Sequence, residues 1–192
     1  MEKKFELTNI SIEKSGRKLY RIKALKSFRK VKVGELGGYV EKEENLSHKG
    51  SAWISDDALV CDDAIVRDNA LVCGNAIVCD NALVCDNALV CGKALVYDNM
   101  IILGNAWITN IGDVLTVSHI GSRYDTTTFF NTFDSIGVKC GCFRGDINEF
   151  ERAVEATHKG SIYEQQYKLA IQLAKISIKK KELRKEDYIW NL

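Results

Sequence analysis

A short polar segment in the C-terminal third of the chain has the residue types that bind anions. Ser122 and Arg123 follow a glycine, and Asp125 precedes three consecutive threonines. Hydroxyls, backbone N–H groups and a guanidinium hold phosphate or carboxylate, and arginine binds such groups through paired donors. The segment therefore predicts an anion-binding site. Its candidate contacts are Ser122, Arg123, Tyr124, Thr126, Thr127 and Thr128.

A second set of residues, further along the chain, is expected to complete this site. Lys139 and Arg144 add cationic groups, and Phe143 offers an aromatic face for stacking on a base. The turn signal Asp134-Ser135 lies between the two segments, so they read as paired arms of a hairpin. We expect Arg144 to supply a second clamp on the same anion. The arms are predicted at Thr126–Phe130 and Gly137–Phe143. The alternative is structural, an Arg-Asp pair with threonines that fill a strand.

Two cysteines in the second arm offer a different chemistry. Cys140 and Cys142 flank one glycine, so a continuous strand would place both thiols on one face. With His119 or His158 they could ligate zinc, and either thiol could be a nucleophile beside a histidine or the helix that starts at Asp146. A second ligand pair beside them is not evident. We therefore expect no metal site, no catalytic residue and no cofactor.

The framework that positions these groups begins with a repeat in the middle of the chain. From Ala52 the sequence runs in units of six, such as ALVCDN and AIVCDN, and Met100 is the sole departure from alanine at the first position. Helical faces repeat every 3.5 or 3.6 residues, so a period of six excludes a helix or a coiled coil. Each unit reads as a short strand and a corner of Asp, Asn or Gly, which tolerate left-handed backbone.

Three such units close one triangular coil, and successive coils stack at the strand spacing of about 4.8 Å. About three coils fit between Ala52 and Ile108, which gives a column roughly 15 Å tall. The predicted fold class is therefore mainly β, with a short parallel β-helix as its central element.

Strand alternation sorts the side chains of each unit into two sets. Ala and Val of an A-L-V-C unit share one face, and the narrow interior admits these two, so Leu and Cys point outward. The outward residues stack into the ladders Leu59/Ile77/Leu95, Ile65/Leu83/Ile101 and Leu71/Leu89/Trp107. Apolar rows of this size rarely stay exposed. We expect terminal helices or sister subunits to cover them, in a homo-oligomer of three or more chains.

The cysteines of the repeat spread over all three outer faces, which argues against convergence on one metal ion. They read as small apolar residues at a buried interface. They are Cys61, Cys73, Cys79, Cys85 and Cys91.

The flanking segments predict a cap at each end of the β-helix. Residues 1–50 read as an N-terminal β cap, with a hairpin around Ser15-Gly16 and a tight start to the first coil at Gly34, Gly37 and Gly38. Residues 51–110 are the β-helix itself. Residues 111–192 read as a β-hairpin and two α-helices, which are expected to cover one side of the β-helix or to build the oligomer core.

The two helices have recognisable limits. Asp146 is the expected N-cap of the first helix, and the second is predicted from about Tyr163 to Lys180. The apolar stripe of the second helix is Tyr167, Ala170, Ile171, Ala174 and Ile178.

Charge and cysteine content exclude several classes of partner. The chain has 27 Lys and Arg against 26 Asp and Glu, so its net charge of +1 favours neither a nucleic-acid polymer nor an anionic membrane. Basic stretches at 17–32 and 175–185 read as solvated faces. Seven cysteines with no apolar leader in the first residues predict a cytoplasmic protein, and no apolar run is long enough to span a bilayer.

The repeat resembles the left-handed β-helix of hexapeptide acyltransferases. Val78-Cys-Asp-Asn-Ala82-Leu fits the pattern of that family, except that Cys stands where Gly is usual. The resemblance implies left-handed coils. Those enzymes carry a catalytic histidine on a loop that leaves the coils and bind acyl-CoA between subunits. Here the repeat has neither an inserted loop nor a histidine between Ala52 and Ile108, so no residue inherits that role.

The whole chain also looks like small hexapeptide-repeat proteins encoded by bacteriophages and mobile elements. The likeness includes LGGYVEKEENLSH before the repeat and GSRYDTTTFF with CGCFRG after it. It suggests, as an analogy of context, a sponge for nucleotide signals of antiviral defence in the host bacterial cytoplasm. We therefore expect a non-catalytic oligomeric binding protein for a small phosphorylated ligand, such as a cyclic dinucleotide or cyclic ADP-ribose. The alternatives are an acyl-CoA-dependent transferase and a bactofilin-like structural assembler.

Overall fold

The computed structural model describes residues 2–179 and 181. The chain forms a parallel β-solenoid of about four turns, with an N-terminal β-hairpin on one side and a C-terminal sheet and two helices at the far end. The predicted mainly β fold is thus confirmed. The left-handed sense of winding stays a prediction.

The N-terminal hairpin pairs antiparallel strands β1 (Phe5–Lys14) and β2 (Arg17–Ala24). Ser15 and Gly16 both have positive φ, which is the turn geometry that two-residue hairpins favour. Strand β2 then pairs with β3 (Leu36–Val40), and β3 lies parallel to the first solenoid strand of the same face. The hairpin therefore widens one face of the solenoid into a sheet of six strands.

The solenoid consists of two-residue strands that recur every six residues. They are β4 (Trp53–Ile54), β5 (Leu59–Val60), β6 (Ile65–Val66), β7 (Leu71–Val72), β8 (Ile77–Val78), β9 (Leu83–Val84), β10 (Leu89–Val90), β11 (Leu95–Val96), β12 (Ile101–Ile102) and β13 (Trp107–Ile108). Each strand pairs in parallel with the strand three units later, so the three faces run β3-β5-β8-β11, β4-β7-β10-β13 and β6-β9-β12. The three ladders predicted from the sequence have this register.

One further coil precedes the repeat. Strand β3 places Tyr39 beside Leu59, and Leu46 bridges to Val66, although this part of the sequence has no period of six. The side chain of Asn45 donates to the backbone oxygens of Asp62 and Ala64 and so fixes the connecting loop. At Gly38 a Cβ atom would lie 2.6 Å from the Ala58 oxygen, which agrees with the predicted tight start of the coils.

The interior of the solenoid holds the alanines and valines, as predicted. The valines of the solenoid strands are fully buried, and each of the repeated alanines is at most 1% exposed. Met100 takes the alanine position in one unit and is buried as well. Small residues at the corners let the three faces close tightly, and the buried methyl groups stabilise the column.

The corners explain the acidic residues of the repeat. Asp56, Asp62, Asp68, Asp80, Asp86 and Asp98 have φ between +53° and +61°. The carboxylates of all of these except Asp98 accept N–H groups from the next coil. Asp80 Oδ2, for example, accepts from Asp98 at 3.1 Å, and Asp86 Oδ2 accepts from Gly104 at 3.0 Å. Aspartate thus adopts the left-handed backbone of its own corner, and its carboxylate accepts a backbone N–H group of the corner that stacks on it.

The outer ladders are covered to different extents. Leu59 packs with Leu19 of the hairpin and with Tyr39 of β3, and Trp107 stacks on Phe133 at 5.4 Å. The ladder that begins with Ile65 is more open, since Ile65 is 42% exposed. Among the described residues the helices pack on the C-terminal sheet and not on these ladders. The structure therefore does not show the helices covering a side of the solenoid, which was one of the two roles expected for them; the other role, the core of an oligomer, stays a prediction.

The C-terminal sheet is antiparallel, in the order β14 (Val114–Ile120), β15 (Asp125–Asn131), β16 (Ile136–Cys140) and β17 (Phe143–Asp146). Its central strand joins two cores through consecutive residues. Phe130 packs into the end of the solenoid, whereas Phe129 points to the opposite face and packs with the helices. The predicted hairpin of two arms is therefore part of a larger sheet, and the second predicted arm divides into β16 and β17.

The two helices pack on the far face of this sheet. Helix α1 (Ile147–His158) begins at the predicted cap, since Asp146 accepts the N–H groups of Asn148 and Glu149. Helix α2 (Ile162–Ser177) buries its predicted apolar stripe in the core that contains Phe129 and Val138. The predicted end at Lys180 and the remainder of the 111–192 unit lie partly outside the described residues. No helix in the described part of the chain is both long and apolar enough to cross a bilayer.

Candidate functional site

The C-terminal sheet separates the predicted anion-binding residues onto two faces. Thr128, Lys139 and Arg144 lie side by side in the register of β15, β16 and β17. They share a face with Phe130, which points toward the solenoid. Arg144 has a guanidinium nitrogen 3.9 Å from the carboxylate of Asp86 at a solenoid corner. This arginine therefore bridges the sheet and the solenoid.

The other predicted threonines have structural partners. Thr126 shares a hydrogen bond of 3.0 Å with Ser118. Thr127 is fully buried on the helix face and donates to the Cys140 sulfur at 3.2 Å. Lys139 donates to the backbone oxygen of Gly141, and Tyr124 points into solvent.

A cleft on the helix face collects the remaining predicted residues, Ser122, Arg123 and Phe143. It lies between the β14–β15 turn, the β16–β17 turn and the two helices, and its volume is about 310 Å³. The other lining residues are Asp125, Cys140, Gly141, Cys142, Phe150, Ala153, Val154, Thr157, His158 and Tyr167. Because Arg123 lines this cleft and Arg144 lies on the opposite face, one ligand bound in one chain does not reach both arginines.

Aromatic rings form the floor of the cleft. The Phe143 and Phe150 ring centroids are 5.0 Å apart, and Phe150 meets Tyr167 edge to face at 5.4 Å. The His158 ring lies 5.5 Å from the Tyr167 ring. Rings in these tilted and edge-to-face geometries pack favourably on one another. They give the cleft an aromatic floor, in which a single exposed ring face is available for stacking.

Polar groups are concentrated at the mouth of the cleft. Arg123 donates to the sulfur of Cys142 at 3.6 Å, and this contact raises the pKa of the guanidinium above its ordinary value. Ser122 and Thr157 add hydroxyl groups to the lining. The mouth therefore offers one permanent cation and two hydroxyl groups above an aromatic floor, and the carboxylate of Asp125 lies near the cation.

The turn that carries Arg123 is fixed to α2. The Gly121 N–H donates to the side-chain oxygen of Gln166 at 2.9 Å. Gly121 has a φ of +73°, and a Cβ atom there would overlap the Tyr167 hydroxyl. Glycine is therefore required at this position, and it holds the arginine above the aromatic floor.

Tyr167 connects the cleft to the half-buried thiol of Cys140. Its hydroxyl lies 3.6 Å from the Cys140 sulfur, which donates to it. Burial, together with this contact, raises the pKa of the Tyr167 hydroxyl above its ordinary value. Tyr167 thus stays neutral at physiological pH and contributes a hydroxyl without charge to the deep part of the cleft.

The sequence predicted that both cysteines of Cys140-Gly-Cys142 lie on one strand face, and the structure shows that they do not. Strand β16 ends at Cys140, and Gly141, with a φ of +52°, turns the chain into β17. Cys140 is directed toward Thr127 and Tyr167, whereas Cys142 is exposed next to Arg123. The two thiols therefore point in different directions, and Cys142 is the more exposed of the two.

Among the described residues, the groups with metal-ligand spacing lie at solenoid corners. They are Asp62 with Cys79 and Asp80, and Asp68 with Cys85 and Asp86. Both sets already have protein partners, because Asp62 pairs with Arg17 and Asp68 pairs with Arg67 at 2.8 Å. The corner hydrogen bonds account for these carboxylates.

The histidines are distributed over the molecule. His48 closes the first end of the solenoid, where its Nε2 lies 2.6 Å from Glu43 and its ring stacks on Phe5. His119 is exposed on β14, and His158 lies in the cleft.

Sequence reasoning missed the helix wall of the cleft, although a signal was present. Phe150, Val154 and His158 have the spacing of one helical face, but that face was expected to cover the solenoid. Strand alternation also indicated that Thr127 and Thr128 point to opposite faces. The sequence pattern did not indicate where the helices lie relative to the sheet.

No protein-family model matches this chain, and a search of curated proteins finds no match.

Proposed function

We propose that the protein is a non-catalytic oligomeric binding protein that holds a small phosphorylated ligand in the cleft on the helix face. The observation that carries the proposal is the combination of Arg123 at the mouth with the aromatic floor of Phe143, Phe150 and Tyr167. A guanidinium binds phosphate through paired donors, and the rings stack on a planar base. Nucleotides combine both groups.

The volume of the cleft limits the size of the ligand that it can hold. Its volume of about 310 Å³ lies at the low end of small-molecule sites. One nucleotide unit fits such a space better than a complete cyclic dinucleotide. Within the predicted ligand class, the volume therefore favours a mononucleotide, or a larger compound such as cyclic ADP-ribose that places one nucleotide unit in the cleft and the rest outside it.

Sequestration is the biological role that fits a site of this kind. The resemblance to proteins encoded by bacteriophages suggests a sponge for a nucleotide signal in the bacterial cytoplasm. A sponge requires tight binding and no turnover, and a cleft with one cation and mostly apolar walls can supply affinity without a reaction.

The test is isothermal titration calorimetry of the full chain against AMP, ADP-ribose, cyclic ADP-ribose and cyclic di-GMP. We expect binding of at least one of the smaller compounds, and Arg123→Ala should weaken it about 10- to 100-fold, because a charge-assisted contact is lost. The matched control is Arg144→Ala, which removes an arginine from the opposite face of the same sheet. Absence of heat with all four compounds, or equal losses in both variants, would refute the proposal.

A second candidate function is a transferase, because His158 lies in the same cleft as Cys142 and Tyr167. A transferase needs a general base that faces the cleft, and His158 is a histidine in that position. Incubation with acetyl-CoA and an amine acceptor should then release free coenzyme A, and His158→Gln should abolish the release. A wild-type rate equal to that of buffer alone argues against this function.

A further inference from the structure

Helix α2 has a second apolar stripe on its outer face. Four large side chains lie there: Ile162 is 59% exposed, Leu169 66%, Leu173 48% and Ile176 76%. Ile162, Leu169 and Ile176 are spaced by seven residues, and Leu173 follows Leu169 by four. This is the spacing of a coiled-coil seam. It differs from the buried stripe of the same helix, which packs against the C-terminal sheet.

The outer stripe is here called the α2 seam (Ile162, Leu169, Leu173 and Ile176), and within the described helix, Ile162–Ser177, it has no charged neighbour along its edges. Gln165 and Gln172 flank it on one side and are exposed. The charged residues of α2 are instead paired with one another or with α1. Lys168 contacts Glu155 and Glu164, and Lys175 contacts Glu151 at 2.7 Å. A second seam can therefore approach without burying an unpaired charge.

We propose that the α2 seam is the surface through which two copies of this chain associate, with the two α2 helices antiparallel. A two-fold axis near Leu169 then places Ile162 of one copy beside Ile176 of the other. Antiparallel helices also set opposite ends of the helix dipoles side by side. The seam is equally apolar at both ends, so the reversed copy matches it along its whole length.

The dimensions of the seam are compatible with a self-associating interface. Ile162 and Ile176 are separated by about 21 Å along the helix axis. Four side chains exposed to this degree present apolar surface on the order of 400 Å², which is as large as the largest patch of many monomers. Two copies with their flanking glutamines would together bury roughly 1,000 Å², the lower bound for a specific interface.

This inference names the surface of the oligomer that the proposed function includes, and it does not depend on a ligand in the cleft. Sedimentation velocity of the full chain should show a concentration-dependent monomer–dimer equilibrium. The double variant Leu169→Glu/Leu173→Glu should weaken the association at least about 100-fold, because it would bury four carboxylates in the dimer. The control Ile65→Glu changes an exposed residue of a solenoid ladder and should leave the association unchanged.

A charge-exchange experiment identifies the partner as a second copy of the same seam. In the antiparallel arrangement Gln165 faces Gln172 of the other copy. Gln165→Lys/Gln172→Lys and Gln165→Glu/Gln172→Glu should each be monomeric through repulsion, and an equimolar mixture should form a heterodimer. These positions are exposed, so the fold should be retained, and circular dichroism verifies it.

Three outcomes would overturn the inference. They are a monomeric wild type at the highest concentration, loss of association in Ile65→Glu instead of the seam variant, and no heterodimer from the charge-exchanged pair. Nucleotide titration of the seam variants separates the two proposals. Unchanged ligand binding by a monomeric variant leaves the cleft intact, whereas intact dimers that bind no nucleotide refute only the cleft.

Discussion

Lys4 is a fully buried cation at the first end of the solenoid. Its ammonium group donates to the backbone oxygen of Ala52 at 2.7 Å and lies 5.4 Å from the centre of the Phe28 ring. Burial, with smaller contributions from Lys26 and Arg29, lowers the pKa of this amine from 10.5 to about 8. Folding of the N-terminal end of the solenoid around Lys4 is thus coupled to the protonation of this one residue.

The depressed pKa of Lys4 predicts that stability rises at alkaline pH. Between about pH 8 and 10.5 the unfolded chain binds a proton that the folded chain has released, so the free energy of unfolding increases with pH by about 3 kcal/mol. Urea denaturation from pH 7 to 10.5 measures it. Lys4→Met should lose this rise relative to wild type, whereas the exposed Lys14→Met should keep it. Parallel pH profiles for wild type and Lys4→Met would contradict the account.

At the scale of the element, the corner of the coil is where sequence and structure agree most closely. A six-residue period requires a bend after each short strand, and Asp and Gly adopt the left-handed conformation at those bends. The period also implies which residues stack, and the ladders have that register. The preceding coil was not predictable in this way. It depends on Asn45 and on the close packing of Gly38, which occur once each.

Substitution of Asp80 separates the two contributions of a corner aspartate. Asp80→Ala keeps neither the tolerance of φ +58° nor the acceptor for the Asp98 N–H, and it should lower the free energy of unfolding by about 1–2 kcal/mol. Asp80→Gly also loses the acceptor but adopts positive φ without strain, so it should be milder than Asp80→Ala. Asp80→Asn retains both features and should stay within about 0.5 kcal/mol of wild type. Thermal denaturation ranks the three variants. A glycine variant less stable than the alanine variant would exclude strain as the cause.

The C-terminal elements show why the candidate site was only partly predictable. The strand pattern of Thr126–Phe130 predicts two faces, and the apolar stripe of α2 predicts one buried side. Neither pattern indicates that the helices pack on the sheet instead of on a solenoid ladder. That choice depends on the turn at Gly141 and on the order of four strands, which are long-range properties. Arg123 and Arg144 were therefore assigned to one site, although they lie on opposite faces.

At the scale of the whole molecule, one antiparallel sheet couples the solenoid to the helical unit that contains the cleft. Phe130 belongs to the solenoid core and Phe129 to the helix core. Around this junction, Asn131 donates to Asp113 and to the backbone oxygen of Lys179. Burial alone would raise the pKa of Asp113, but hydrogen bonds from Lys181 and two backbone N–H groups lower it, so the junction keeps a carboxylate at neutral pH.

Two substitutions at adjacent positions should therefore affect opposite ends of the molecule. Phe130→Ala removes a side chain from the solenoid end and should raise amide hydrogen exchange in the last coil, around Ile102 and Ile108. Phe129→Ala should raise exchange in α1 and α2 instead. Each should cost about 3–5 kcal/mol, the usual effect of truncating a buried phenylalanine. Exchange mass spectrometry resolves the two regions.

The matched variants Phe130→Leu and Phe129→Leu keep an apolar side chain of smaller volume at each position. They should show the same regional patterns at lower amplitude, because less packing is lost. If both alanine variants instead raise exchange uniformly from the solenoid to α2, the two cores unfold as one cooperative unit. The cleft would then depend on the solenoid for its stability as well as for its position, and ligand binding at Arg123 should protect amides in the coils.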